Sequence, residues 1–234
     1  MQNSDSVGNP LRPGAQISLS AISEAYNLFQ SKAGVWVVVS LIYVIIQILG
    51  TVFNKQLSRT NPLLYLVIAV IFAIISAILY AGIFTIAIKQ IKGQIIEVGD
   101  LFSAVDFAWP VFWGSFMVGI LTFIGLIFCI IPGIIIAGLS IFTVPLIIDQ
   151  RMKASEAISA SFATLKGQWL SAALFAFVVG LIYLVGIICL YIGLIITLPI
   201  AILSITVAYR DFFLGQTPPA NDTEKFKPAI PPGS

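Results

Sequence analysis

Long apolar stretches, separated by short polar segments, dominate the pattern of this chain. No residue between Asp106 and Asp149 is charged, and none between Lys166 and Arg210 is charged. A helix crosses the hydrocarbon core of a bilayer, roughly 30 Å thick, in about 20 residues. Each stretch is therefore too long for one crossing and barely long enough for two. Both predict a helical hairpin with almost no loop.

Two more apolar windows precede these stretches, so the sequence predicts an all-α integral membrane protein with six transmembrane helices. The predicted spans are about residues 34–53, 63–88, 110–130, 134–148, 169–190 and 194–209. They form one membrane domain, residues 17–211. The N-terminal tail, residues 1–16, is polar, and the C-terminal tail, residues 212–234, is rich in proline. We expect both tails to be disordered.

Three polar segments precede the hairpins, and we expect them to lie flat on the membrane surface as amphipathic helices. They are residues 17–32, 94–106 and 153–166. In the first segment the apolar face consists of Ile22, Ala25, Tyr26, Phe29 and Ala33. In the third it consists of Ala154, Ala157, Ile158, Ser161, Phe162 and Leu165. The chain thus divides into three units, each an interfacial helix followed by a hairpin.

Prolines and glycines locate the turns. The pair Pro132-Gly133 breaks helices, so it predicts the turn of the first tight hairpin at residues 131–133. The second tight hairpin is predicted to turn at residues 191–193. Pro145 and Pro199 lie in the return legs, where we favour a simple kink over the broken helix of a binding site. Seven glycines are predicted to permit close helix packing: Gly82, Gly114, Gly119, Gly125, Gly138, Gly180 and Gly186.

Basic residues fall on one side of the predicted membrane. The loop between the first two spans holds Lys55 and Arg59 and is assigned to one face. The opposite face holds ten: Arg12, Lys32, Lys89, Lys92, Arg151, Lys153, Lys166, Arg210, Lys225 and Lys227. Because basic loops stay in the cytoplasm, both termini are predicted to be cytoplasmic.

Two segments of the chain resemble each other. AISEAYNLFQ at 21–30 matches AISASFATLK at 157–166, and a tryptophan follows each, Trp36 and Trp169. LFSAVDFAWPVFW at 101–113 is a weaker third copy. Such matches suggest a threefold internal repeat. The alternative is that apolar sequence of low complexity aligns with itself, and both interpretations are open at this point.

Composition narrows the classes of function. Only 9% of the residues are charged and 59% are hydrophobic, with mean hydropathy +1.05, whereas soluble domains carry about 25% charged residues. The net charge of +2 without a basic cluster argues against nucleic-acid binding. There is no histidine, the commonest general base and metal ligand. Cys129 and Cys189 are interpreted as separate thiols, with a disulfide as the alternative.

The predicted spans contain no Asp, Glu, Lys, Arg or His, which disfavours a proton relay or an ion site. Gln47 could line a pore, but we favour a hydrogen bond to a neighbouring helix. Five acids near the cytoplasmic face are interpreted as helix caps and solvated charges: Asp100, Asp106, Asp149, Glu156 and Asp211. A close cluster of three of them around a metal would instead indicate an enzyme. We predict no catalytic, cofactor-binding or metal-binding residue.

The second half of the chain carries a pattern of small and apolar residues that is similar to a known group. The residues concerned are Pro132, Gly133, Pro145, Asp149, Ala157, Ser161, Trp169, Pro199 and Tyr209. With them the chain resembles a family of poorly characterised multi-pass proteins of the bacterial inner membrane. That family is related to the membrane domain attached to some glycerophosphoryl diester phosphodiesterases. Because this chain has no histidine and no room for the soluble catalytic barrel, the resemblance implies a membrane domain without hydrolase activity.

We therefore expect a non-enzymatic inner-membrane protein that acts as a scaffold or accessory in envelope or lipid biology. Its expected partners are membrane lipids and other membrane proteins. The alternative is a transporter or channel for an uncharged or lipidic substrate. A continuous polar cavity lined by Gln47 would favour transport, and a solid apolar bundle would favour the scaffold.

Overall fold

The structure is a computed structural model that describes residues 15–57, 62–189 and 191–214. Throughout these residues it consists of helices and their connections and contains no strand. Six helical segments are long and apolar enough to cross a membrane. The predicted all-α fold with six spans is therefore confirmed. In lipid, helices pair every backbone N–H and C=O group within one segment, which explains why apolar windows fold this way.

In the described residues, nine α-helices follow one another. They are α1 Ser20–Ser31, α2 Ala33–Leu57, α3 Pro62–Ile91, α4 Val105–Phe128, α5 Ile130–Leu139, α6 Thr143–Gln150, α7 Ala154–Leu165, α8 Trp169–Ile188 and α9 Leu194–Phe213. Two short 3₁₀ helices lie at Val98–Phe102 and Lys166–Gln168. Helices α5 and α6 together make the fourth span. Of the two predicted tails, residues 1–14 and 215–234 lie outside the described residues. Phe212 and Phe213, which were assigned to the C-terminal tail, belong to α9.

The first tight hairpin turns earlier than the sequence predicted. Helix α4 ends at Phe128, Cys129 is extended (φ −171°, ψ 152°), and α5 begins at Ile130. The turn expected at residues 131–133 is therefore wrong, because Pro132 and Gly133 lie in the first turn of α5. Proline is tolerated there since first-turn N–H groups have no partner within the helix.

The return leg of this hairpin is interrupted between α5 and α6. The break covers residues 140–142, just before Pro145, which lies in the first turn of α6. Ser161 of α7 holds the break: its hydroxyl donates to the carbonyl of Leu139 (2.6 Å) and accepts the N–H of Phe142 (3.2 Å). In the second tight hairpin, α8 ends at Ile188 and α9 starts at Leu194, so the turn lies where it was predicted.

The six spans form a closed ring. Each span packs against the next along the chain, and α9 packs back against α2. Inside this ring the second helices of the three hairpins approach one another, because α3 contacts both α6 and α9. Between α6 and α9, the Phe142 ring lies 5.3 Å from the Phe212 ring, centroid to centroid. The largest fully buried side chains of the bundle are aromatic: Trp36, Phe84, Phe142, Phe175 and Tyr209.

Each short segment before a hairpin packs on the second helix of the preceding hairpin. The 3₁₀ helix Val98–Phe102 contacts α3, α7 contacts α6, and α1 contacts α9, which closes the cycle. The middle segment, 94–106, was expected to be an amphipathic helix, and this is wrong. It forms the 3₁₀ helix and the first residues of α4. Gly82 of α3 explains the close fit, since a Cβ there would lie 1.9 Å from the carbonyl oxygen of Leu101.

Candidate functional site

Charged side chains from distant parts of the chain meet at one end of the helical ring. We call this set the interhelical polar network. Its members lie at the ends of α3, α6 and α9 and on the short segments that pack against them. They are Glu24, Lys89, Lys92, Asp100, Asp149, Tyr209 and Arg210.

The centre of the network is the carboxylate of Asp149 at the end of α6. Its side chain is 7% exposed and forms an ion pair with Lys92, the residue directly after α3. The hydroxyl of Tyr209 in α9 donates to the second carboxylate oxygen of Asp149 (2.9 Å), and Gln150 donates to the same hydroxyl (3.2 Å). A buried carboxylate is costly unless it is paired and hydrogen-bonded. Here it is both, so this group ties three helices together.

A second ion pair joins α3 to the 3₁₀ helix. The ammonium of Lys89 lies 2.5 Å from Asp100 Oδ1, and the backbone N–H of Glu97 donates to Asp100 Oδ2 (3.0 Å). Burial by itself would raise the pKa of Asp100. The hydrogen bonds from Lys89 and from the Glu97 backbone outweigh it, so the pKa is lowered. Asp100 is therefore ionised at neutral pH.

The third pair joins α1 to α9. The guanidinium of Arg210, only 8% exposed, makes a bidentate pair with the carboxylate of Glu24, with Nη2 lying 3.0 Å from Oε2. Asp211 accepts a further bond from Nη2 at 2.8 Å. Such fork-to-fork pairing fixes orientation as well as charge. The contact holds α1 at one position along α9.

Two glutamines fasten α1 and the residues before it. Gln90 of α3 accepts from the indole N–H of Trp36 (2.7 Å) and donates to the carbonyl of Leu28 (2.7 Å). The side chain of Gln168 accepts the N–H of Ile17 (3.1 Å) and donates to the carbonyl of Ala15 (2.6 Å). Helix α1 and the residues before it are therefore bonded to the first hairpin and to the 3₁₀ helix that precedes the last one.

The five acids considered in the sequence have different surroundings. Asp100 and Glu156 each accept the backbone N–H three residues earlier, as helix caps do. Asp149 and Asp211 pair with basic side chains, and Asp106 lies in the first turn of α4. In the described part of the chain, no group of three His, Cys, Asp or Glu side chains could hold a metal ion.

Sequence reasoning missed the ion pairs of the network. Lys92 and Asp149 are 57 residues apart, and Glu24 and Arg210 are 186 apart. A usable signal was nevertheless present. TIAIK at 85–89 and TVAYR at 206–210 share one pattern, and each places a basic residue four positions after a threonine near the end of a span. Both basic residues pair with an acid on the short segment packed beside them.

Polar groups within the spans form a smaller cluster. Gln47 of α2 donates to the hydroxyl of Ser76 in α3 (3.2 Å), so this amide joins two neighbouring helices. The phenol groups of Tyr43 in α2 and Tyr183 in α8 lie close to each other. Two surface cavities occur elsewhere: one of about 300 Å³ beside Gln168, and one of about 420 Å³ between α4 and α7. Gln47 lines neither of them.

Fold and composition define the class of this chain: an α-helical, multi-pass membrane protein. It is similar to uncharacterized proteins of Mycobacterium bovis (28% identity) and Mycobacterium tuberculosis (27–28% identity). Each match covers 164 residues, which is 69% of this chain and 48% of the relative. The chain thus spans about half the length of the curated relatives it matches. No family model and no solved structure matches it.

Proposed function

We propose that this chain is a non-enzymatic protein of the bacterial inner membrane that acts as a scaffold or accessory in envelope or lipid biology. One observation carries the proposal: the charged groups of the interhelical polar network bond to one another and hold helices together. An acid or base in catalysis has to reach a substrate. The carboxylate of Asp149 instead faces Lys92 and Tyr209 with 7% of its side chain exposed.

The proposed orientation puts the polar network and both termini in the cytoplasm. Its support is the positive-inside rule together with the position of Lys89, Lys92 and Arg210 at one end of the ring. Helices α1 and α7 are the proposed interfacial amphipathic helices. Each buries one stripe and exposes its other face: the buried stripes are Ala21, Ala25 and Phe29 in α1, and Ala157, Ser161 and Leu165 in α7.

The native cysteines test this orientation. Cys129 and Cys189 lie in the two tight turns and are both free and exposed. An impermeant maleimide added to intact spheroplasts is expected to label them. A variant that lacks both and carries Ser103→Cys, in the exposed segment between α3 and α4, is expected to react only after permeabilisation. The opposite pattern of labelling would reverse the orientation.

The scaffold role is tested by extracting the chain in particles of native lipid and identifying what accompanies it by mass spectrometry. We expect a reproducible protein partner, or a lipid class enriched over the bulk membrane. A particle with bulk lipid composition and no second protein would refute the proposal. As a control, the same extraction is run on an unrelated six-span protein at equal expression.

The intramembrane cluster of Tyr43, Gln47, Ser76 and Tyr183 favours a second candidate, a transporter or channel for an uncharged or lipidic substrate. Its hydroxyls and amide are the polar groups that a passing substrate would meet. Proteoliposomes test it through flux of small uncharged solutes and through scrambling of a labelled lipid. If the chain is a transporter, the protein raises the rate of flux or scrambling, and Gln47→Leu lowers that rate. Equal rates with and without the protein would reject this candidate.

We also propose that the three units arose by duplication. The buried stripes of α1 and α7 occupy matching positions in the aligned segments 21–30 and 157–166. The cyclic packing of each short segment on the preceding hairpin supports the same view. The relation to the membrane domain of glycerophosphoryl diester phosphodiesterases stays a proposal that rests on the residue pattern of the second half.

A further inference from the structure

A groove lies on the surface of the bundle between α4 and α7. Its volume is about 420 Å³, and its walls are Met117, Ile120 and Leu121 of α4 with Ser155, Ile158 and Ser159 of α7. The three α4 side chains are exposed and belong to a membrane span. In a bilayer the groove therefore opens onto the acyl chains of lipids.

Two hydroxyls in this apolar groove are left without partners. Ser155 and Ser159 lie one helical turn apart, and neither hydroxyl has a hydrogen-bond partner among the residues that the structure describes. Elsewhere in α7, Thr164 donates to the carbonyl of Ala160 at 2.8 Å. Ser23, which matches Ser159 in the repeat, donates to the carbonyl of Ser20 at 2.8 Å. Free donors beside an apolar channel suit a ligand that brings acceptor oxygens, as the ester groups of a glycerolipid do.

Two cations lie at the same end of the groove, where α7 begins. Arg151 places its guanidinium 5.4 Å from the ring centroid of Phe107 in the first turn of α4, and Lys153 immediately precedes α7. Both residues are exposed, and neither pairs with a carboxylate in the described part of the chain. Lys89, Lys92 and Arg210, by contrast, all do. Unpaired cations at a membrane surface attract anionic head groups.

We propose that this groove binds one anionic glycerophospholipid. An acyl chain lies between Met117, Ile120 and Ile158, and the ester oxygens accept from Ser155 and Ser159. The head-group phosphate lies between Arg151 and Lys153. The site itself is inferred from described side chains alone. Only the assignment of this lipid to the cytoplasmic leaflet rests on the proposed function, through the proposed orientation.

The test is a lipid titration of the full chain, purified and delipidated in detergent, followed by native mass spectrometry. Phosphatidylglycerol is expected to bind more tightly than phosphatidylcholine. In the double variant Arg151→Gln/Lys153→Gln, phosphatidylglycerol affinity is expected to fall about tenfold while phosphatidylcholine affinity changes less than about twofold. The matched control is Lys32→Gln/Lys166→Gln, which removes the same charge from two other exposed cations without carboxylate partners in the described chain. It is expected to bind like the wild type.

Equal phosphatidylglycerol affinity in the wild type and in Arg151→Gln/Lys153→Gln would overturn the proposal, as would an equal loss in the control. A second variant, Ser155→Ala/Ser159→Ala, is expected to weaken both lipids about threefold, since both carry ester oxygens. Unchanged affinity for both lipids would show that the two serines are not part of the site. Unchanged thermal unfolding without lipid shows that each variant is folded. The titration depends on neither orientation nor partner proteins, so its failure is distinguishable from failure of the scaffold proposal.

Discussion

The aligned segments of α1 and α7, 21–30 and 157–166, open with the same three residues and bury the same three positions, yet the two helices are held in different ways. Both are 12 residues long, and Ala21, Ala25 and Phe29 of α1 match Ala157, Ser161 and Leu165 of α7. Helix α1 carries Glu24, which pairs with Arg210 of α9. Helix α7 has an alanine at the matching position, 160, and is held by Ser161 at the break between α5 and α6.

The comparison separates a feature that α1 and α7 share from one in which they differ. The stripe of small and apolar residues sets the face that each helix presents to the bundle. The polar contact then decides how tightly the helix is fixed and what stays available at its surface. Because α7 forms no ion pair within the described chain, the basic residues at its ends remain open to other partners.

The largest effect should come from breaking the pair that holds α1. We expect Arg210→Gln to lower the free energy of unfolding by about 2–3 kcal/mol, because it leaves Glu24 and Asp211 without their cation. The figure is at the low end for a buried pair since Glu24 is 37% exposed. Unfolding in mixed micelles with increasing denaturing detergent measures it. Lys32→Gln is the control, and an equal loss in that variant would contradict the prediction.

Breaking the contact that holds α7 should have a smaller effect. Ser161→Ala removes two hydrogen bonds and leaves the carbonyl of Leu139 and the N–H of Phe142 unpaired at the break. We expect a loss of about 1–2 kcal/mol in the same unfolding assay. The reciprocal variant, Ala25→Ser, adds a hydroxyl at the matching position of α1, where no break in a neighbouring helix needs one. A clear stabilisation by Ala25→Ser would show that the two sites are more alike than we infer.

A double variant asks whether the ion pair of α1 adds stability beyond that of its packing. Replacing both partners, in Glu24→Met/Arg210→Met, removes the unpaired charge that Arg210→Gln leaves on Glu24. We expect it to recover about 1 kcal/mol relative to Arg210→Met alone. A double-mutant cycle in the unfolding assay gives this coupling. A double variant less stable than either single variant would contradict this, because losses that add mean that the two side chains contribute independently of each other.

The smallest effect should appear with pH at the 3₁₀ helix Val98–Phe102, which lies in the middle segment. The pKa of Asp100 is lowered in the folded protein from its ordinary value of 3.8. A lowered pKa contributes stability above the unfolded value, and this contribution is lost as the pH falls through the folded value. Stability attributable to Asp100 should therefore be constant from pH 7 to about pH 4 and decline below it. Asp100→Asn should remove that decline, and an unchanged acid limb in Asp100→Asn would contradict the assignment.

The spans could be read from the sequence because hydropathy adds up over about 20 residues and depends little on tertiary contacts. Helical spacing predicted a stripe on α7, and three of its six residues are buried: Ala157, Ser161 and Leu165. The turn at Cys129 was not predicted, because Pro132-Gly133 suits the first turn of a helix as well as a loop. The partners of Asp149 and Glu24 could not be predicted either. They depend on closure of the ring, which brings Lys92 to Asp149, 57 positions away, and Glu24 to Arg210, 186 positions away.

The packing of α1 on α9 has a consequence for biogenesis. The ribosome makes Glu24 186 residues before it makes Arg210. At 5–20 residues per second, α1 waits roughly 10 to 40 s before its binding surface exists. During that delay its apolar stripe can rest on the membrane surface, with no completed bundle to dock on. Docking of α1 is therefore a late step that requires the last span, and a chain interrupted before α9 would leave the face of Ala21, Ala25 and Phe29 uncovered for quality-control proteases to recognise.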